Sequence, residues 1–211
     1  MRVLVACEFS GVVREAFRRR GHNAWSCDIL PSEKPSRFHI QSTIQSVLSC
    51  ERHPDYDARS GCWRSRCLDG DLEGRPLVWD LMIAHPPCTH LAVSGARWFK
   101  DKQAEQAKAL DFVRLLMGAA IPHIAIENPI SIISSHIRKP DQIVQPWMFG
   151  HGETKATCLW LKQLPRLRPT NVVDGRVPRV HHEPPGPDRW KRRSITYAGI
   201  ASAMADQWGS F

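Results

Sequence analysis

Apolar and polar residues follow one another along this chain in blocks that predict strands separated by helices. Short, continuously apolar runs, typical of strands buried on both faces of a sheet, cover residues 2–7, 23–27, 79–84, 123–126 and 157–161. Apolar residues at helical spacing predict helices at 12–20, 100–117 and 197–208, and a weaker element covers 40–48. Strands that alternate with helices indicate a mainly parallel sheet, so we expect an α/β fold with a single Rossmann-like domain.

Three intervals depart from this pattern. Residues 92–98 continue a loop after the third long strand, and residues 165–187 are rich in Pro and Arg and predict irregular structure. Residues 50–78 are polar and read as an insertion. We therefore expect a core over residues 1–162 that carries the insertion, a short segment over 163–193, and a C-terminal helix in 194–211 that packs on the core.

The insertion contains four residues that could bind zinc, namely Cys50, His53, Cys62 and Cys67. Their spacing is unusual for a zinc site, and unrelated loop cysteines are the other interpretation. We therefore assign no metal. The whole chain has seven cysteines, and this odd number argues against a disulfide framework and for reduced thiols.

Composition and charge narrow the class of partner. No run approaches the ~18 apolar residues that span a bilayer, and no signal-peptide pattern is visible, so we expect a cytoplasmic protein of a bacterial or phage-infected cell without a membrane partner. The net charge is +8. Residues 166–193 hold eight Lys or Arg and three Asp or Glu, which concentrates +5 of that charge in one segment and favours a nucleic acid as the partner.

The triplet Arg18-Arg19-Arg20 has a structural interpretation instead. It ends the first predicted helix, and Gly21 follows it. Cations suit the C-terminus of a helix, and glycine suits the position after it.

Residues with chemistry follow four of the predicted strands. The first strand leads into the turn Glu8-Phe9-Ser10-Gly11, where glycine and free N–H groups at a helix N-terminus suit a polar ligand. The second ends at Asp28, where nucleotide-binding α/β proteins place an acidic residue for ribose hydroxyls. An Asp that merely initiates a loop is the alternative.

The other two strand ends carry a thiol and a carboxylate. Pro86-Pro87 makes a stiff loop that holds Cys88 at the rim of the sheet, and Glu127-Asn128-Pro129 closes the next strand. A buried inert thiol and a structural carboxylate are the alternatives for the two residues taken singly. Together with a nucleoside-like pocket, they predict nucleophilic catalysis on a heterocycle.

These motifs and their order along the chain resemble those of the DNA (cytosine-5) methyltransferase family, specifically the short forms common in phages and prophages. Phe9-Ser10-Gly11 matches the cofactor loop, Pro86-Pro87-Cys88 the nucleophile loop and Glu127-Asn128-Pro129 the base-binding loop. Residues 150–157 resemble the basic motif that follows. The resemblance covers roughly residues 2–161 and implies a methyltransferase domain that uses S-adenosylmethionine.

The resemblance also implies roles for individual residues. Cys88 is the nucleophile that attacks C6 of cytosine, Glu127 holds the base edge at N3, and Asn128 orients the base loop. Lys155 or Thr157 supports the covalent adduct. The residues expected at the cofactor are Cys7, Glu8, Phe9, Ser10, Gly11, Asp28, Ile29 and Pro86.

DNA is the expected partner, with its target cytosine flipped out or single-stranded. The residues expected to contact DNA are Arg97, Arg176, Arg179 and Arg192, all but the first in the basic segment together with His181, His182 and Trp190. An ordinary solvated loop is the other interpretation of that segment. Protection of phage DNA from restriction is the biological role that the resemblance implies.

The chain departs from the family in several places. Pro129 stands where valine is usual, Lys155 and Thr157 replace the usual arginines, and no acidic residue is evident near Ser42-Thr43. The interval 163–193 leaves no room for a large target-recognition domain, so we expect short or relaxed sequence recognition. Three alternatives stay open: transfer of another group to the same carbon, methylation of an exocyclic amine, which His85 and Cys88 disfavour, and a decayed scaffold that only binds nucleic acid.

Overall fold

The described part of the chain, residues 1–49 and 79–210 of a computed structural model, folds around one seven-stranded sheet. The strands are β1 (Arg2–Ala6), β2 (Asn23–Asp28), β3 (His39–Gln41), β4 (Leu81–Ala84), β5 (His123–Pro129), β6 (Gln142–Val144) and β7 (Thr157–Lys162). The α-helices are α1 (Val12–Arg18), α2 (Ile44–Ser49), α3 (Gln103–Met117), α4 (Ile133–His136), α5 (Arg189–Ser194) and α6 (Ala198–Trp208). Within these described residues, two 3₁₀ helices cover Val93–Asp101 and Pro146–Met148.

The sheet is mainly parallel, as predicted. Its strand order is β3-β2-β1-β4-β5-β7-β6, and β7 runs antiparallel to both of its neighbours, whereas the other pairings are parallel. The parallel strands β1 and β4 are buried almost throughout. This explains why they read as continuous apolar runs rather than as an alternating pattern. The α/β fold class is confirmed.

Successive residues of the central strands enter two different hydrophobic cores. Val3 and Val5 of β1 pack on the face covered by α1 and α6, whereas Leu4 packs on the opposite face, which contains residues of α2 and α3. Side chains alternate across a strand, so one buried strand supplies both layers. The result is a three-layer arrangement that leaves the carboxyl ends of the strands to the connecting loops.

Helices α1 and α6 pack against each other. The Arg20 guanidinium forms a two-pronged ion pair with the Asp206 carboxylate, with 2.6 Å between Nη2 and Oδ2. Gly21 follows in the left-handed region at φ 81°. The helix ends at Arg18, two residues earlier than predicted. Nη1 of Arg20 donates a 2.9 Å hydrogen bond to the Ala16 carbonyl oxygen in the last turn, which agrees with the structural interpretation of the arginine triplet.

The elements that the hydrophobic pattern missed are short. Residues 92–98 were predicted as loop, but residues 93–98 form the first part of the 3₁₀ helix Val93–Asp101. The elements α4, α5 and β6 were not predicted. Cys50, His53, Cys62 and Cys67 lie outside the described residues. Within the described ranges, no group of three or more His, Cys, Asp or Glu side chains is arranged to hold a metal ion, and no helix has the length and apolar character to cross a bilayer.

Candidate active site at the carboxyl edge of the sheet

The crevice between the carboxyl ends of β1 and β4 is where this fold offers a binding site. From β1 the chain runs outward to β2 and β3, and it returns at β4 on the other side of β1. Ligands of open α/β sheets bind at such a reversal of strand order, outside the carboxyl ends of the strands. The loops that border the crevice are residues 7–11 after β1 and residues 85–88 after β4.

The loop after β1 is held by the side chain of Glu8. Cys7 adopts φ 59°, and its N–H donates a 2.7 Å hydrogen bond to the Cys27 carbonyl oxygen. The buried Glu8 carboxylate accepts hydrogen bonds from the N–H groups of Val13 at 2.7 Å and Arg14 at 3.2 Å. The expectation of free N–H groups at this helix N-terminus is therefore wrong, because Glu8 already binds them.

Gly11 makes the approach of Arg14 possible. Its φ of 72° lies in the left-handed region, and a Cβ at this position would lie 2.4 Å from Nη2 of Arg14. The buried Arg14 guanidinium donates a 2.7 Å hydrogen bond from Nη1 to Oγ of Ser26, on β2. A side chain at position 11 would thus displace the group that ties α1 to β2.

Asp28 and Ile29 present a carboxylate beside exposed apolar surface. Oδ1 of Asp28 accepts a 2.9 Å hydrogen bond from the Leu30 N–H, and burial raises the pKa of this carboxyl. Ile29 is 69% exposed, which is unusual for a large aliphatic residue. Oxygen acceptors for hydroxyl groups next to an apolar contact surface are suited to a nucleoside.

Phe9 lies under the basic segment of the chain. The ring is buried, and its centroid is 5.7 Å from that of Trp190 on α5, at an interplanar angle of 57°. Ser10 accepts a 3.4 Å hydrogen bond from the N–H of Val12. The half-exposed Trp190 therefore belongs to the surroundings of the loop after β1.

Cys88 is exposed at the end of the stiff Pro86-Pro87 loop. Its carbonyl oxygen accepts hydrogen bonds from the N–H groups of Leu91 at 3.0 Å and Ala92 at 2.9 Å, which turn the chain into the 3₁₀ helix. Desolvation by the surrounding loops raises the pKa of the thiol, and the positive charges of Lys155 and Arg193 oppose that effect.

Glu127 is paired with a histidine that the sequence analysis did not assign to the site. Its Oε2 accepts from Nδ1 of His85 at 2.7 Å and from Oγ1 of Thr196 at 3.1 Å. Burial alone would raise the pKa of this carboxyl. The charge and hydrogen bond of His85, with the Lys155 charge and the Thr196 hydroxyl, outweigh burial and lower the pKa of Glu127 to about 2.

Asn128 joins the base-binding loop to the nucleophile loop. Its Nδ2 donates a 2.8 Å hydrogen bond to the carbonyl oxygen of Pro86. Its Oδ1 is buried and has no hydrogen-bond partner among the described residues. A buried amide oxygen without a partner is uncommon, and here it lies next to the candidate base-binding carboxylate.

Lys155 and Thr157, which the resemblance treats as equivalent, have different positions. The partly buried Lys155 ammonium donates a 3.2 Å hydrogen bond to the Ile195 carbonyl oxygen, and its charge acts on both Glu127 and Cys88. Oγ1 of Thr157 donates to the Lys155 carbonyl oxygen at 3.1 Å. Lys155 therefore faces the site, and Thr157 supports the turn that presents it.

Two arginines of the basic segment are neutralised by carboxylates. Arg179 Nε lies 2.8 Å from the Glu153 carboxylate, and Arg192 pairs with Glu183. The Arg179–Glu153 pair joins the segment to the core, whereas Glu183 belongs to the same segment as Arg192. The charge of both arginines is less available to a phosphate than that of an unpaired side chain.

The other two candidate DNA contacts have different surroundings. The Arg176 guanidinium lies 3.9 Å above the ring of Trp147 and pairs with no carboxylate of the described ranges. Arg97 is exposed on the 3₁₀ helix that follows the Cys88 loop. Arg97 is thus the candidate nearest in sequence to the nucleophile.

Three further side chains reach this site that the sequence pattern does not predict, namely His85, Thr196 and Arg193. Parallel pairing of β4 with β5 matches Ala84 to Ile126, so the next residues, His85 and Glu127, emerge side by side. That proximity depends on which strands pair, and periodicity within one strand does not reveal it. Thr196 and Arg193 belong to a stretch with no apolar period long enough to predict their position.

No family model and no curated protein matches this chain. Among solved structures, one similar chain is a protein encoded within an E. coli prophage, whose description as a DNA modification methyltransferase is itself provisional. It shares 15% identity with this chain, at a TM-score of 0.47, over 82% of this chain and 52% of its own length. This chain thus spans about half of that protein, and at this level of similarity the match carries no weight for function.

Proposed function

We propose that this protein transfers a methyl group from S-adenosylmethionine to C5 of cytosine in DNA, through a covalent adduct with Cys88. One observation carries the proposal. The hydrogen bond from Asn128 to Pro86 ties an exposed thiol loop to a buried carboxylate loop at the crevice, and the Lys155 charge acts on the reactive group of each loop. A nucleophile beside a carboxylate that can hold a heterocycle is suited to addition chemistry on a pyrimidine.

The residues at the end of β2 would hold the cofactor. Asp28 offers carboxylate oxygens for ribose hydroxyls, and the exposed Ile29 offers apolar surface for adenine, whereas the Phe9 ring is buried beside Trp190. The space beside Gly11 is taken by the Arg14 guanidinium, so this glycine serves the packing of Arg14 rather than a direct approach of the cofactor. When bound, S-adenosylmethionine supplies the electrophilic methyl group that C5 of the cytosine takes up.

The thiolate of Cys88 forms a bond to C6 of the cytosine, and the electron pair of the C5–C6 double bond becomes available at C5. Nearby Lys155 and Arg193 favour the thiolate electrostatically against the desolvation of its loop. After C5 has been methylated, loss of the C5 proton to a base and departure of the Cys88 thiolate restore the double bond. The nucleophile is thereby regenerated.

Glu127 holds the edge of the base. Its Oε2 is bound by His85 and Thr196, and Oε1 makes no hydrogen bond within the described ranges. An ionised carboxylate is an acceptor only, so Oε1 is suited to the exocyclic amino group of cytosine, which thymine lacks. Adduct formation also makes N3 more basic, and a carboxyl group at this edge is placed to give it a proton.

DNA is the proposed substrate, and the target base leaves the helix stack to reach Cys88. The net charge of +8 supports a polyanionic partner, and the Arg97 and Arg176 side chains are candidates for phosphate contacts. The interval 163–193 is short, so recognition of a long DNA sequence by this segment is not expected.

Nucleoside mass spectrometry tests the proposal. The full chain and a Cys88→Ser variant are expressed in a host without its own cytosine methylation, and the host DNA is digested to nucleosides. We expect 5-methylcytosine only with intact Cys88. Another modified cytosine would keep the nucleophile and change the group transferred. An N4-methylated cytosine would instead indicate transfer to the exocyclic amine.

Covalent trapping separates the enzyme from a protein that only binds nucleic acid. DNA with 5-fluorocytosine retains the adduct, because fluorine at C5 cannot be eliminated as a proton is. We expect a Cys88-dependent protein–DNA complex that survives denaturation. Folded protein that binds the same DNA without forming a complex would favour the decayed scaffold.

A further inference from the structure

His85 is the first residue of the loop after β4, and it contacts the base-binding carboxylate of Glu127. The chemistry proposed above gives this histidine no role. His85 follows β4 directly, and its Nδ1 is 2.7 Å from Oε2 of Glu127, which follows the paired position on β5. Both side chains are largely removed from solvent, with 14% and 9% exposure. A buried histidine in contact with a buried carboxylate is costly unless the two share a proton.

The pattern of partners around this pair is asymmetric. Oε2 of Glu127 is taken by His85 and by Thr196, whereas Oε1 has no partner among the described residues. Nε2 of His85 is buried and likewise has no hydrogen-bond partner in the described ranges. His85 can therefore exchange a proton with Glu127 on one side, and Glu127 is open to a ligand on the other.

Several charges act on His85. The anionic groups are Glu127 at the end of β5, Glu8 in the loop after β1 and Asp28 at the end of β2, and the opposing cation is Lys155. Burial lowers the pKa of His85, but the carboxylates of Glu127 and Glu8 outweigh burial and raise it above its usual value. With the pKa of Glu127 lowered and that of His85 raised, a proton shared by the two groups resides on His85 rather than on Glu127.

We propose that His85 is a positioning residue that stores the proton which Glu127 passes to N3 of the bound cytosine when Cys88 adds to C6. This inference rests on the proposed function and deepens it. Hydrogen bonding between His85 and Glu127 keeps the carboxylate ionised while the base binds. The same contact then makes a proton available at the moment when N3 becomes basic.

The proposed transfer moves one proton from His85 through Glu127 to N3 of the cytosine. The Nδ1–H bond of His85 breaks, and its proton moves to the Glu127 carboxylate as Cys88 forms the bond to C6. The carboxyl group turns about its last torsion, which is broad and roughly two-fold for Glu, and donates the proton to N3. His85 is then neutral and Glu127 is again a carboxylate. When Cys88 departs, N3 returns the proton by the same route.

A pH profile of the single-turnover rate tests this storage of a proton. In wild type, deprotonation of Cys88 should raise the rate with increasing pH, and loss of the His85 proton should give a descending limb that opposes this rise. His85→Asn keeps an N–H donor near Glu127 but has no proton to lose. We expect this variant to be slower by about 10²-fold at pH 8 and to lack the descending limb that belongs to His85.

Thr196→Val is the matched control. It removes a hydrogen bond to the same oxygen of Glu127 without removing a titratable group. We expect its rate to change while its descending limb stays where it is in wild type. A His85→Asn variant with the wild-type pH profile would overturn the proposal, because His85 would then be structural only.

NMR titration of His85 in the free protein separates this inference from the proposed function. Its signal is the one of ten histidines that disappears in His85→Asn. We expect a pKa above the usual value in wild type and a fall in Glu127→Gln, whether or not the protein is active. A pKa that is not raised, or that is the same in Glu127→Gln, would overturn the stored proton. A raised pKa in a wild type that forms no modified cytosine would instead overturn the proposed function and, with it, the transfer to N3.

Discussion

The side-chain amide of Asn128 donates a 2.8 Å hydrogen bond to the carbonyl oxygen of Pro86, two residues before the nucleophile candidate Cys88. The bond joins loops that lie 42 residues apart in sequence and follow adjacent strands. Because Pro86 and Pro87 stiffen the chain on one side, and Asn128 is next to Glu127 on the other, one hydrogen bond sets the spacing between thiol and carboxylate.

Asn128→Ala should uncouple these two loops. It leaves the Pro86 carbonyl oxygen without its partner, which costs about 1–3 kcal/mol of stability. Misplacement of the thiol should slow adduct formation by about 10- to 100-fold. Urea unfolding and the rate of trapping on 5-fluorocytosine DNA measure the two effects. Asn23→Ala is the control, because Asn23 bonds Trp25 at the amino end of β2, away from the site; equal trapping rates in both variants would contradict this role.

Gly11→Ala should harm the protein more than Gly21→Ala. Both positions have positive φ, so each alanine costs about 1–2 kcal/mol. At Gly21 nothing lies within 4 Å of the new Cβ, whereas at Gly11 the Arg14 guanidinium must move. Thermal unfolding and calorimetric binding of S-adenosylmethionine compare the two variants. Equal losses of stability would show that the approach of Arg14 is unimportant.

Alkylation of Cys88 should accelerate as pH rises, because the pKa of its thiol is raised by desolvation and the thiolate is the reactive form. Lys155→Met should displace this profile to higher pH, since the ammonium stabilises the thiolate. Lys162→Met is the control, because Lys162 bonds the Ala119 and Ile121 carbonyl oxygens instead. Mass spectrometry of the Cys88 peptide follows the reaction. Identical profiles for both variants would contradict the assigned role of Lys155.

The neighbours Arg192 and Arg193 should differ in their effect on DNA binding. Arg192 pairs with Glu183, whereas Arg193 forms no ion pair with a carboxylate of the described residues, and its charge acts on Cys88. Each phosphate contact contributes about 0.9 to the slope of log affinity against log salt concentration. We expect Arg193→Ala to reduce that slope by about this amount and Arg192→Ala to leave it nearly unchanged. A larger reduction of the slope in Arg192→Ala than in Arg193→Ala would show that the ion pair between Arg192 and Glu183 breaks when DNA binds.

The sheet could be predicted because its strands are buried on both faces. Runs such as Val3-Leu4-Val5 and Leu81-Met82-Ile83 are typical of strands buried on both faces, so their existence and their positions along the chain follow from hydrophobicity. The elements β6 and α4 are three and four residues long and have no measurable period. Their formation depends on contacts with the rest of the sheet.

The site was only partly predictable for a related reason. Cys88, Glu127 and Asp28 follow strands, and the carboxyl edge of a parallel sheet gathers such residues. The partner of Glu127 could not be read in this way, because it depends on which strands are neighbours and in which register. Glu8 illustrates the opposite error, since a turn that resembles an anion-binding site uses its own carboxylate to cap the helix.

The pairing of α1 with α6 has a consequence for biosynthesis. Arg20 and Asp206 are 186 residues apart, and the core under α1 is completed by side chains such as Met204 and Trp208 of α6. Until the ribosome has synthesised α6, Val3 and Phe17 lack the contacts that Met204 and Trp208 make in this core. Folding of the first face must therefore wait for late synthesis, and long-range contacts of this kind form slowly. Stalled nascent chains that stop before residue 198 should accordingly remain sensitive to protease and bind chaperones, whereas chains that expose α6 outside the ribosome should not.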